Sequence, residues 1–317
     1  MVIDSFVENL YNSDKRTIAR SISIIEENKS DSSDLLKKIF SRTGRAYRIG
    51  ITGPPGAGKS TITNQLTKYF VSLNKTVGII AVDPTSPFTG GALLGDRVRM
   101  SEIGMLPGVF IRSMATRGSL GGLSKKAVDA ADVIDAAGFD YVLFETVGVG
   151  QSELDIANAA DTTIVVLVPE SGDSVQAMKA GLMEIADFFV LNKSDRPGAD
   201  QAVNALKTIL FMKEHNEKSW LPPIIKTIAS ENKGIADIAE CIEKHTAFLN
   251  ANNLFGEKRE QHLKLRIKDI VENNIREKLW SNDGEVSLDS LINKMSSGVV
   301  SPYHIADEII VNFRGKL

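Results

Sequence analysis

The chain has 317 residues, 43% of them hydrophobic and 24% charged, enough for one large α/β domain with extensions or for two domains. A net charge of -3 gives no reason to expect a nucleic-acid surface, and no uncharged apolar run approaches the ~18 residues that a membrane-spanning helix needs. One cysteine, Cys241, excludes an internal disulfide and reads as a small core residue.

Met1 to Asn12 contains Asp4 and Glu8 and has no apolar signal core. The acids also argue against a mitochondrial presequence, so the expectation is a soluble protein of the reducing cytosol. Residues 1–45 read as two short helices. Ile18, Ile22 and Ile25 share one face, and Leu35, Leu36, Ile39 and Phe40 share another. Ser33 reads as an N-cap and Gly44 as the end of this helical extension.

From residue 46 strands alternate with helical segments. The expected strands are Tyr47–Thr52, Val77–Val82, Val109–Ser113, Tyr141–Glu145, Thr162–Val168, Phe188–Leu191 and Ile224–Thr227. Several are unbroken β-branched runs, such as residues 162–166, which suits strands covered on both faces. The expected fold is therefore α/β, a doubly wound, mostly parallel sheet over 46–250, with ligands at the carboxyl ends of its strands. After 250 the strands stop. Leu254–Leu279 is long and polar, with Leu263, Ile267, Ile270 and Ile275 at mostly helical spacing. The tail 251–317 holds too little apolar content for its own core and must pack on the main domain or on another chain.

Gly53-Pro54-Pro55-Gly56-Ala57-Gly58-Lys59-Ser60 fits G-x-x-x-x-G-K-[ST] between an expected strand and a helix. The glycines let the backbone curl so that successive N–H groups point at one anion, and the helix carrying Thr61 adds its positive end. Lys59 reaches for the β- and γ-phosphates and Ser60 for Mg²⁺. Asn192-Lys193-Ser194-Asp195 follows the strand Phe188–Leu191. A carboxylate at Asp195 can accept from guanine N1–H and the exocyclic amine, a donor pair that adenine lacks, so it selects GTP over ATP. Lys193 would lie over the base plane, and Asn192 would brace the loops.

Three acids sit between these motifs. Asp83 ends a strand, Asp96 closes the glycine-rich stretch Thr89–Asp96, and Glu145 ends another strand. Mg²⁺ accepts one or two carboxylates, direct or through water, and hydrolysis needs an oriented water. Asp83, Asp96 and Glu145 meet those needs without the sequence dividing the labour. Glycine density at 90–95, 118–122 and 148–150 suggests loops that rearrange when the γ-phosphate is lost.

With those residues in hand, the chain resembles the MeaB/MMAA/ArgK family, G-protein chaperones of adenosylcobalamin-dependent methylmalonyl-CoA mutase. The resemblance runs through the P-loop, Asp83-Pro84-Thr85-Ser86, Thr89–Asp96, Met114-Ala115-Thr116-Arg117-Gly118, Leu120-Gly121-Gly122-Leu123, Glu145–Glu153, Gly172-Asp173 and Asn192–Asp195. It implies a P-loop NTPase fold with a SIMIBI-type G domain and helical extensions at both ends. It also implies bound GTP or GDP with Mg²⁺, a mutase partner, and a homodimer through the C-terminal helices. By the resemblance, Asp83, Asp96 and Glu145 match the acids that serve Mg²⁺ and catalysis, and residues 170–181 match a third switch that couples the mutase to the GTPase site. Glu170 and Val175 depart from the usual glycine and leucine there. Ile228 stands where a serine is common, leaving a backbone N–H of Ala229 or Ser230 to meet guanine O6.

Two other readings compete. A metal-insertion GTPase would need clustered soft or imidazole ligands. Here His215, His245, His262 and His304 are scattered and each reads as a surface residue, with Cys241 alone. A nucleotide-dependent kinase acting on a transport protein, an old label of the family, would need a base or positioner for an acceptor hydroxyl, which the guanine motif does not favour.

Overall fold

The computed structural model describes residues 3–27, 31–83, 101–115, 125–146, 155–169, 181–212, 219–280, 288 and 301–314. Asp96, the stretches 89–96, 118–122, 148–150 and 170–180, and His215 lie outside them.

Three helices, not two, precede the sheet: α1 (Ile3–Tyr11), α2 (Lys15–Glu26) and α3 (Asp31–Ile39). The extra one, α1, is short and buries Val7 and Leu10. Asp14 separates it from α2 by capping, accepting the Thr17 N–H at 2.8 Å. Ser33 lies inside α3, whose first turn carries Asp31 and Asp34, and not at its cap. Phe40 falls in a 3-10 turn beyond α3 and is exposed, which takes it off the face formed by Leu35 and Ile39.

Seven strands follow: β1 (Tyr47–Thr52), β2 (Val77–Asp83), β3 (Val109–Ala115), β4 (Tyr141–Thr146), β5 (Thr162–Leu167), β6 (Phe188–Leu191) and β7 (Ile224–Lys226). They form one parallel sheet in the order β3-β2-β4-β1-β5-β6-β7. Every residue of β5 and β6 is buried, as expected of strands sandwiched between helical layers.

The helices within and after the sheet are α4 (Lys59–Ser72), the short turns α5 (Ser101–Gly104) and α7 (Leu182–Ile185), α6 (Lys125–Ala136), α8 (Ala199–Met212) and α9 (Ile235–Ala251). One core joins α1–α3 and α6 to β2, β3 and β4 through Ile18, Ile22, Ile39, Ile80, Ile134 and Phe144. On the other face α4 and α9 pack through Ile62, Leu66 and Ile238 against Ile49, Ile79 and Val190. A third group sets α8 against β5 and β6. The sheet is thus doubly wound. The N-terminal helices are tied to it by Asp135 of α6, whose carboxylate accepts the N–H groups of Gly44, Arg45 and Ala46.

His245 of α9 is buried, contrary to its expected surface position. Its Nδ1 lies 2.7 Å from Thr162 Oγ1, which is 2.6 Å from the Tyr47 hydroxyl, and its Nε2 lies 3.3 Å from Asp187 Oδ1. Burial lowers the His245 pKa; Asp187 opposes that shift and Lys258 adds to it. Burial also pushes Tyr47 up to about 12. The cluster fastens the amino ends of β1, β5 and β6, away from the nucleotide edge.

Contacts divide the chain into two compact units, Met1–Lys258 and Arg259–Leu317. Helix α10 (Leu254–Leu279) supplies residues 259–279 of the second and buries none of its side chains. Leu263, Ile267, Val271 and Ile275 recur four residues apart on it and are 40–51% exposed. Helix α11 (Pro302–Arg314) buries Ile305 and Ile309 in a small cluster with Leu279 and Leu288. Among the described residues no helix is long and apolar enough to cross a membrane.

Candidate nucleotide site

Strand β1 lies at the centre of the sheet, between β4 and β5, and its carboxyl end runs into the glycine-rich loop. Gly53 has φ +133°, and a Cβ there would lie 2.1 Å from the Val166 carbonyl oxygen of β5. Gly58 has φ +93° and opens α4; a Cβ there would lie 2.3 Å from Asn192 Nδ2. Both positions therefore exclude side chains twice over, by conformation and by space. Lys59, 6% exposed, folds its ammonium into the loop, donating to the carbonyls of Gly53 at 2.7 Å and Pro54 at 2.9 Å. Pro55 and Gly56 form the exposed crest of the loop, and Ala57 is buried beneath it. Thr61 is exposed on the first turn of α4.

Ser60 follows Lys59 on that turn. Its hydroxyl donates to Glu145 Oε1 at 2.5 Å. Glu145 is 5% exposed and paired in register with Ile51, so β4 delivers its carboxylate to the P-loop side of the sheet. The two groups are hard oxygen donors, the chemistry Mg²⁺ prefers. Asp83 ends β2 one strand further out, paired with Ala115 of β3. Of this residue only the backbone is described. No group of three or more His, Cys, Asp and Glu among the described residues is arranged to hold a metal.

Asn192, 3% exposed, joins the two nucleotide loops. Its Nδ2 donates to the Ala57 carbonyl at 2.8 Å, and its Oδ1 accepts from Thr227 Oγ1 and from the Ala229 N–H, each at 3.1 Å. Its side-chain amide thus braces the phosphate loop against the base loop, as its place in the motif suggested. Lys193 adopts φ +55° and donates to the Gly56 carbonyl at 2.9 Å. Asp195 is exposed beyond it. The Ala229 N–H, one of the two backbone donors expected to face guanine O6 beside that of Ser230, donates to Asn192. The loop closes through a 3-10 turn, Ala229–Glu231, and a bridge between Ile228 and Lys233.

Residues 18–284 match the family model described as methylmalonyl Co-A mutase-associated GTPase MeaB. The chain belongs to the MeaB family of GTPases. A Pyrococcus abyssi protein named as a GTPase is 46% identical over 316 residues, covering 99% of this chain and 98% of the relative. GTPase ArgK of Escherichia coli is 33% identical, covering 87% of this chain and 86% of the relative. The mouse protein named methylmalonic aciduria type A homolog, mitochondrial, is 28% identical over 99% of this chain and 80% of its own length. Among solved structures, LAO/AO transport system kinase superposes with a TM-score of 0.74 at 25% identity, covering 98% of this chain and 97% of that one.

This MeaB-family site holds residues that motif reading passed over. Thr227 contributes its hydroxyl to Asn192 and its carbonyl to the Ser194 N–H and hydroxyl. Thr52 and Thr146 end the adjacent strands β1 and β4 and bond through their hydroxyls at 3.0 Å. The sequence signal for that pair was a threonine ending the expected β1 and another one residue beyond the expected end of β4. Lys233 pairs with Glu231 and also feels Asp195, both of which raise its pKa, Glu231 more strongly.

Proposed function

We propose that this GTPase is a G-protein chaperone of an adenosylcobalamin-dependent acyl-CoA mutase, and that GTP hydrolysis times the loading, protection or reactivation of the mutase's cofactor. The observation that carries the proposal is the match of residues 18–284 to the mutase-associated model, joined to a site whose phosphate and base loops are braced together by one buried asparagine. In this reading Gly53 to Thr61 enclose the phosphates, Asp195 and Ser230 read the base, and Ser60 with Glu145 hold Mg²⁺, with Asp83 and Asp96 serving the metal or the attacking water. The ion, when bound, neutralises charge on the β- and γ-phosphate oxygens. Lys59 is drawn from its two carbonyls toward the phosphates. Glu145 holds the Ser60 hydroxyl in place, and Asn192 keeps the base loop and phosphate loop at one separation.

The experiment is a steady-state GTPase assay with and without the cognate mutase. Basal turnover is expected to be slow and to rise severalfold with the mutase, because loops that must be ordered before they position water are ordered by a partner that prefers them so. A basal rate already equal to the stimulated one overturns the timer. The structural relative's name keeps a kinase reading in view. Transfer of the γ-phosphoryl group to a transport protein, with no response to a mutase, would favour it.

The chain is further proposed to be a homodimer. The exposed apolar stripe Leu263, Ile267, Val271 and Ile275 on α10 supports self-association, since such a stripe gains by leaving water. Light scattering of the full chain at micromolar concentration is expected to give twice the monomer mass, and deleting 251–317 is expected to give a monomer that still binds GDP. A full-length monomer would overturn this.

A further inference from the structure

Glu26 is the last residue of α2, and two cations from different elements converge on it. Arg112 of β3 donates through Nη2 to the Glu26 carboxylate and, at 3.1 Å, to Ser23 Oγ one turn earlier. Lys126, the second residue of α6, donates to the main-chain carbonyl of Glu26. Both bonds to Glu26 are charge-assisted, and the carbonyl belongs to the negative end of α2, whose own last turn carries no basic residue. The Glu26 and Arg112 side chains are only 22% and 21% exposed, so solvent screens the pair less than it would a surface ion pair.

Arg112 and Lys126 stand on either side of one connection. Arg112 lies three residues before the end of β3, and Lys126 lies in the first turn of α6. The last residue of β3, Ala115, pairs with Asp83 at the carboxyl edge of the sheet, where ligands of such folds bind. One residue of the N-terminal helices therefore grips both the strand that enters this connection and the helix that leaves it. Among the described residues, Glu26 makes no hydrogen bond to the P-loop or to the base loop.

We infer that Glu26 is a positioning residue for GTP turnover: through Arg112 and Lys126 it fixes β3 against α6, and so fixes the end of β3 beside Asp83. Its removal acts on the step that needs the nucleotide edge in one arrangement, and not on ground-state binding, which rests on the loops after β1 and β6. A purely structural staple would behave differently, lowering thermal stability and leaving kcat where it was.

The test uses the full-length chain and reads kcat, KM for GTP, GDP affinity and thermal stability for Glu26→Ala, Glu26→Gln, Arg112→Met and the double variant Glu26→Ala/Arg112→Met. Glu26→Ala is expected to lower kcat by roughly tenfold, the scale of one charge-assisted contact, with KM and GDP affinity within about twofold of wild type. Glu26→Gln keeps an oxygen acceptor for Arg112 and is expected to recover most of the loss. The double variant is expected to be no slower than either single variant, because both remove the same contact. Should Glu26→Ala fail to fold, Arg112→Met carries the same expectation. Wild-type kcat in a folded Glu26→Ala or Arg112→Met protein overturns the inference. So does a loss of kcat and GDP affinity in parallel, or strictly additive effects in the double variant.

Discussion

Lys59→Ala is expected to lower GTP turnover by about 10²–10³-fold, the usual consequence of removing one preorganised donor from charge that develops in a transition state. The binding of GDP is expected to weaken less, by about 10- to 100-fold, since only one charge-assisted contact to a ground-state phosphate is lost. The asymmetry follows from where the ammonium sits. Lys59 is buried at the start of α4 and is held by the carbonyls of Gly53 and Pro54, at the centre of the loop's curl. On the proposed site the ammonium would leave those two carbonyls for the phosphates on nucleotide binding, so that little further rearrangement would be needed at the moment of transfer. Single-turnover kinetics beside GDP titration would measure both numbers. A variant with wild-type turnover would reject the role assigned to Lys59. An equal loss in turnover and in GDP affinity would reassign it to uniform binding.

The same lysine shows what a sequence makes legible. Gly53 to Ser60 and Asn192 to Asp195 are short contiguous motifs whose chemistry is local, and the apolar runs that became β5 and β6 are buried at every residue. What the sequence did not disclose is contact across long separations. The Asn192 amide meets the Ala57 carbonyl 135 residues away, and its closeness adds a steric reason to the positive φ for Gly58 to lack a side chain. The bond from the Ala229 N–H to Asn192 likewise spans 37 residues. His245 looked like one more scattered histidine. It is buried, with Thr162 and Asp187 at its two ring nitrogens and Tyr47 bonded to Thr162 behind it, at three different strand ends. Helix α1 was missed for another reason: nine residues with two buried hydrophobic anchors give too short a period to count. Within α10 the exposed stripe runs through Val271, one residue from the expected Ile270, which is half-buried.

Asp195→Asn is expected to weaken GTP binding by about 30- to 1,000-fold, or about 2–4 kcal/mol. The exchange replaces one acceptor oxygen with an amide N–H that faces a guanine donor, so one hydrogen bond is lost and a donor is set against a donor. The frame around Asp195 is rigid enough for that mismatch to be felt. The Asn192 side chain is pinned by three hydrogen bonds, Ser194 is bonded twice to the Thr227 carbonyl, and the Arg196 N–H closes the turn on the Lys193 carbonyl at 3.0 Å. Asp195 itself is exposed, so the unbound protein has little to lose from the substitution and its thermal stability is expected to stay near that of wild type. Xanthosine triphosphate, which carries a carbonyl oxygen in place of the exocyclic amine, would accept from the new amide and is expected to recover much of the lost affinity. Calorimetry with both nucleotides on both proteins completes a cycle in which the preference reverses. Equal GTP affinity in the variant would remove Asp195 from the base site. A loss of GTP affinity with no gain for the xanthine nucleotide would mean that the substitution disturbed the loop and not the recognition. The short bond network through Asn192 and Thr227 argues against that second outcome, because none of its members uses the Asp195 carboxylate.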